Sequence, residues 1–166
     1  MQVPSKTDGA ALLDRLMADA VPGRRGMDAW WAFLQAHAAL MRRLATDLAQ
    51  ETGLTLGDFD VLAQLAMAGG VLRMTELAAR AFSSRSNMTR RIDRLVEEGL
   101  VCRQVDEADA RSVVVALADA GVARLAETAP VHMRDVAELF VAKLDDEELA
   151  VLERALCKVC PEASFG

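Results

Sequence analysis

Residues 84–99, Ser-Arg-Ser-Asn-Met-Thr-Arg-Arg-Ile-Asp-Arg-Leu-Val-Glu-Glu-Gly, leave little freedom in how this chain folds. Met88, Ile92, Leu95 and Val96 recur at i, i+4, i+7 and i+8, so a single short helix gathers them on one face. At roughly 100° per residue, Ser86, Asn87, Arg90 and Arg94 fall on the opposite face. Ser84 is placed to accept the orphan N–H groups at the start, and Gly99 stands where a helix ends in the left-handed conformation. An ordinary solvated amphipathic helix mixes Glu and Lys along its outer face. This one has an apolar back, Asn and Arg in front, and no carboxylate in its first two turns. That surface suits the major groove of DNA, where Asn can bond adenine at two points and Arg guanine likewise.

The neighbouring segments place this helix in a larger unit. Residues 74–81 read as a short helix with Thr75 and Glu76 near its start and Leu77, Ala78 and Ala81 inward. Phe82-Ser83 then turns the chain, giving a helix-turn-helix. After Gly99 come two strand-like runs, 100–105 and 112–117, in which Val113, Val115 and Leu117 share one face. The polar stretch 106–111 between them makes the tip of a two-stranded wing. Upstream, Trp30, Leu34, His37, Met41, Leu44 and Leu48 form a heptad-like seam over a helix at 28–51, closed by Gly53. A further helix starts near Gly57, with Phe59, Leu62 and Ala66 inward, and stops at Gly69-Gly70. Downstream, Val122, Leu125, Ala129, Met133, Val136, Phe140 and Leu144 follow helical spacing, and Pro130 is expected to bend or divide that run. Asp145-Asp146-Glu147-Glu148 set carboxylates at the start of a last helix, favourable to its dipole, with Leu149, Leu152 and Leu156 as its apolar side. These terminal seams are too long for a small winged domain to cover.

Composition narrows the class of protein. The chain has 166 residues, 52% hydrophobic and 27% charged, which suits a globular fold. No apolar run approaches the ~20 residues that span a bilayer. Three cysteines argue against a disulfide framework and for a reducing cytoplasm. The formal net charge is −6, yet residues 73–103 carry seven basic and four acidic groups, net +3, and form the positive window of an otherwise acidic chain. A Gly-rich phosphate loop, a nucleophile elbow and a paired His–Glu metal motif are all missing, so an enzyme is not expected. Two cysteines and distant histidines make no recognised metal set, and no metal or other cofactor is expected.

The order of these elements resembles the MarR family of bacterial winged helix-turn-helix transcription regulators. The resemblance spans residues 30–159. It rests on Met74-Thr75-Glu76-Leu77-Ala78, on the run from Asn87 through Val101, on Asp106-Glu107-Ala108-Asp109-Ala110-Arg111-Ser112, and on Val115-Ala116-Leu117-Ala118-Asp119-Ala120-Gly121. The family usually has Thr where Ala118 stands, so Asp119 is expected to cap the next helix and shift its start by a residue. The resemblance implies a mainly α fold, with the N- and C-terminal helices of two copies intertwined as a dimerisation base. Residues 1–27 would then be an N-terminal arm with a possible short helix, 28–56 and 119–160 the dimerisation helices, and 57–118 the DNA-binding lobe.

Roles follow from that picture. Ser84, Ser86, Asn87, Thr89 and Arg90 face DNA, and Arg94 meets phosphate or pairs with Asp93 or Glu97. Arg111 enters the minor groove, where narrow walls concentrate negative potential, while Asp109 holds the wing loop. The function expected is a homodimeric repressor on a pseudo-palindromic double-stranded operator, released by a small aromatic acid or phenol. Trp30, Trp31, His37, Met41 and Asp60 are its candidate effector contacts, although seam and core roles account better for Trp30, His37 and Met41 than ligand contact does. Two alternatives stand beside this: a thiol-based redox sensor using Cys102, Cys157 or Cys160, and a winged-helix protein-interaction module that does not read DNA.

Overall fold

The computed structural model describes residues 24–81, 85–105 and 113–161, and shows 11–12 and 15–16 as helical. Of Arg24, Arg85 and Ser86 only the backbone is described. The chain divides into two compact units, Met1–Arg42 and Arg43–Gly166. Helix α1 spans Arg24–Thr52, so it starts four residues before the expected Asp28 and absorbs Gly26. In the first unit it exposes Trp30, Trp31, Phe33 and Met41. Phe33 lies 6.2 Å, centroid to centroid, from both Trp30 and His37.

In the second unit α1 buries Leu44 and Leu48 and ends at Gly53, whose φ of 73° is the left-handed stop that its sequence position anticipates. Helix α2 (Leu56–Met67) is capped by Thr55, whose Oγ1 accepts the Asp58 N–H at 3.2 Å. Its inward face is Asp58, Phe59, Val61, Leu62 and Leu65. Ala66, expected inward, is exposed, because the packing stripe centres on Leu62 and runs on through Leu65. Gly69 and Gly70, at φ 80° and 97°, reverse the chain into β1 (Val71–Arg73).

Then follow α3 (Met74–Arg80), α4 (Arg85–Glu97), β2 (Val101–Val105), β3 (Val113–Leu117), α5 (Asp119–Leu139), one 3-10 turn (Val141–Lys143) and α6 (Asp146–Val159). The sheet has three strands, in the antiparallel order β1-β3-β2, where the sequence suggested a two-stranded ribbon. Val115 pairs with Leu72 on one side and Arg103 on the other. β1 escaped notice because three residues cannot display a period of two. Its backbone covers what would otherwise be an open edge of β3.

The core joins Leu48, Phe59, Leu62, Leu65, Leu77, Met88, Ile92, Leu95, Val101 and Val115. Met88, Ile92 and Leu95 are the buried side of α4, whereas Val96, expected beside them, is 37% exposed. Helix α5 runs unbroken through Pro130. An interior proline costs about 3 kcal/mol; here Leu125, Ala129 and Val131 pack against the core on both sides of it and hold the rod together. Ala118 is the N-cap without a side-chain bond, and Asp119 stays inside the first turn, so the expected shift does not occur. The start of α5 is set instead by the Ala118 N–H bonding the Leu100 carbonyl at 3.1 Å. Gly121 sits against the same carbonyl oxygen, where a Cβ would collide with it and lie 2.8 Å from Leu117 Cδ1. At α6 the acidic start is a reciprocal cap: Asp145 accepts the Glu148 N–H at 2.8 Å, and Glu148 accepts the Asp145 N–H at 3.0 Å.

Candidate nucleic-acid interface

With its apolar side locked into the core, α4 must present the remainder of its circumference outward. Asn87, Thr89, Arg90 and Arg94 are exposed. The three arginines with described side chains then divide. Arg91 Nη1 reaches Asp58 Oδ1 at 2.9 Å, and Arg94 Nη2 bonds both oxygens of the same carboxylate. Thr55 adds a hydroxyl donor to Asp58 Oδ2 at 2.6 Å. Asp58 is only 3% exposed, so a nearly buried carboxylate is neutralised by two guanidiniums from the neighbouring helix. Arg94 also lies 3.8 Å from Glu98. Its partners are therefore Asp58 and Glu98, not the expected Asp93 or Glu97. Asp93 faces the other way.

On that other flank, Arg103 of β2 bonds Asp93 Oδ1 at 2.5 Å and the Thr89 carbonyl at 3.4 Å. Helix α4 is thus fastened to α2 by Asp58 and to the wing by Arg103. Asp58, Arg91 and Arg103 were all missed in the sequence. One signal was available for Asp58, an acid three residues after a capping Thr, but nothing local announces a partner 33 to 36 positions away. Gly57 completes the arrangement, since a Cβ there would stand 2.5 Å from the Arg91 guanidinium carbon.

Arg90 differs from its neighbours. Its Nη2 donates to Asn87 Oδ1 at 2.7 Å, and among the described residues it meets no carboxylate. Asn87, Arg90, Arg91 and Arg94, with Thr55 and Gly57, line a cleft of about 610 Å³. Ser84, Asp109 and Arg111 lie outside the described residues, as does the side chain of Ser86.

The expected effector residues do not form one cluster in the second unit. Trp30, Trp31, His37 and Met41 are exposed residues of the first. Asp60, on α2, accepts from Gln64 Nε2 at 3.4 Å, and burial holds its carboxyl above the usual range. His132 rests on Phe59 with ring centroids 4.5 Å apart, and burial pushes its imidazole below the ordinary histidine value. Among the described residues His132 Nδ1 and Asp135 Oδ2 are buried without a partner. Glu51 and then Asp135 hold the Arg134 guanidinium in its charged form. Cys102 is half-buried beside Gln104, Cys157 is half-buried and Cys160 is the exposed C-cap of α6. A helix C-terminus does not favour thiolate. No group of three ligating side chains that could hold a metal occurs among the described residues, and no described helix is long and apolar enough to cross a membrane.

Two successive helices, the second with an outward arginine that meets no carboxylate among the described residues, and a sheet fastened to its flank define a winged helix-turn-helix DNA-binding lobe. Residues 52–112 match the MarR family model. The chain is similar to AbsC, a MarR family transcriptional regulator from Streptomyces coelicolor: TM-score 0.78 and 29% identity, covering 86% of this chain and 96% of that one. It is similar to Sco3205, a MarR family regulator of the same organism solved in complex with DNA: TM-score 0.78 and 26% identity, covering 88% and 96%. A third relative, the HTH-type transcriptional regulator YkoM of Bacillus subtilis, is 28% identical over 124 residues, 75% of this chain and 79% of that protein. The chain belongs to the MarR family and is a DNA-binding transcription regulator.

Proposed function

We propose that two copies of this regulator bind a pseudo-palindromic operator as a repressor and leave it when a small anionic effector binds. The observation that carries the DNA half is Arg90: an exposed guanidinium on the outward face of α4, with no carboxylate to neutralise it among the described residues. Asn87 and Thr89 stand beside it, and Arg111 of the wing tip is assigned the minor groove, with Asp109 bracing the loop. That the relative Sco3205 was solved in complex with DNA supports the DNA half of this reading. Exposed apolar residues on the terminal helices support the dimer: Trp30, Trp31 and Met41 on α1, and Val151, Leu156 and Val159 on α6. The two copies would present their α4 helices about 34–36 Å apart, to successive major grooves.

For the effector, the cationic cleft beside α4 suits an aromatic carboxylate or phenolate, with Asp58 as the carboxylate it would rival. Trp30, Trp31, His37 and Met41 on α1, and separately Asp60 on α2, are alternative candidates to that cleft. Such a regulator works in the cytoplasm, and the position of Cys160 at a helix C-terminus speaks for ligand sensing over thiol sensing.

Fluorescence anisotropy on a duplex selected from a randomised library tests the reading. Affinity should fall about 10³–10⁵-fold between 50 and 200 mM salt. Light scattering should give twice the 17.9 kDa chain mass. A monomer, or equal affinity for selected and random duplex, would falsify it.

A further inference from the structure

The three arginines of α4 whose side chains are described do two different jobs, and one contact separates them. Arg91 and Arg94 are occupied by Asp58. Arg90 is occupied by Asn87, an uncharged acceptor that leaves the positive charge of its partner intact. Asn87 and Arg90 are one turn apart, and both belong to the outward face. The 2.7 Å bond takes one donor of one terminal nitrogen and leaves the other donors of the planar fork available. A free arginine side chain is rotamer-rich, and each fixed contact lowers what must be ordered on binding.

We propose that Asn87 is a positioning residue that acts through Arg90, aiming its guanidinium at a guanine edge, and does not itself read adenine. This rests on the reading of α4 as the helix that enters the major groove. Guanine offers O6 and N7 as paired acceptors, which a guanidinium can meet only when its plane lies along the base edge. Aiming that plane is therefore a specificity function as much as an affinity one. The carbonyl oxygen of Asn87 faces Arg90, so this face of the amide serves the arginine.

The test uses the full-length protein and a duplex selected from a randomised library, with each base pair of the selected duplex then replaced in turn. Parent, Arg90→Ala, Asn87→Ala, Asn87→Asp and Arg90→Ala/Asn87→Ala are compared by the ratio of affinities for selected and substituted duplex. Using that ratio cancels the general repulsion that a new carboxylate exerts on phosphate. Arg90→Ala should erase about 5- to 150-fold discrimination at a G·C pair. Asn87→Ala should erode discrimination at the same pair, and the double variant should lose no more than Arg90→Ala alone. Asn87→Asp, which keeps an acceptor for Arg90 but cannot donate to adenine, should retain the preference. Loss at a separate A·T pair in Asn87→Ala, or independent losses in the double variant, overturns the positioning role while Arg90 stays a reader. Unchanged discrimination at every pair in Arg90→Ala overturns the assignment of α4 as reader as well.

Discussion

Replacing Asp58 with alanine removes the anchor of α4 and should be visible in two independent measurements. The carboxylate is 3% exposed and takes hydrogen bonds from Arg91, Arg94 and Thr55. Truncating one partner of a buried ion pair costs about 3–5 kcal/mol when the other charge stays buried. Here the arginine side chains are 28% and 47% exposed, so both can return to water. The expected loss is therefore lower, about 2–3 kcal/mol. For a chain of this size that lowers Tm by about 4–12 °C, read by thermal unfolding at fixed protein concentration because a dimer melts according to its concentration. The same change frees two guanidiniums beside the DNA-facing surface. Each new phosphate contact steepens the log–log salt dependence of DNA affinity by about 0.9, so the slope should grow by about 1–2. A Tm within about 1 °C of the parent, together with an unaltered slope, refutes the view that Asp58 neutralises these arginines.

Gly121→Ala should cost about 1–3 kcal/mol in urea unfolding by overpacking, and Leu117→Ala should not rescue it, because the obstructing oxygen belongs to the Leu100 backbone. Asp145→Ala should cost about 1 kcal/mol through its lost cap on α6, whereas Asp145→Ser, which keeps an acceptor, should cost less. His132 should make stability depend on pH. Its native pKa lies below the ordinary 6.5, so as pH falls through 6.5 the unfolded chain takes up the proton first and stability declines until the native value is reached. His132→Gln should abolish that decline, and an identical profile in the variant would rule out the histidine as its source. Asp60 moves the other way at lower pH: its raised native pKa lets the folded protein bind the proton first, so this contribution grows as pH falls toward 3.8.

Local periodicity alone makes much of this fold readable. Helix α4 was legible from Met88, Ile92 and Leu95 together with Gly99, because three apolar contacts and a left-handed stop are all short-range signals. The acidic start of α6 was legible for the same reason. Val96 and Ala66 were misplaced because helical spacing fixes angles but not how wide a stripe the neighbours cover. The β1 strand depends on pairing with β3, a contact some 43 positions away, and its own three residues carry no pattern. Pro130 does not divide α5, since packing on both sides outweighs one missing backbone donor. The site was half legible. Residue type and face identified Asn87, Thr89, Arg90 and Arg94 as outward, but only the tertiary structure distinguishes a guanidinium held by Asp58 from one left to meet a polyanion.

The continuity of α5 has a mechanical consequence. Near its start the rod is bonded to the root of the sheet through Leu100, and toward its far end Arg134 grips Glu51 of α1 at 2.5 Å. Twenty-one residues at 1.5 Å each make a lever about 31 Å long. A tilt of only 5° about one end carries the other through roughly 3 Å, as far as a hydrogen bond is long. Small displacements where α5 meets α1 are thereby passed along one continuous helix to the base of the wing.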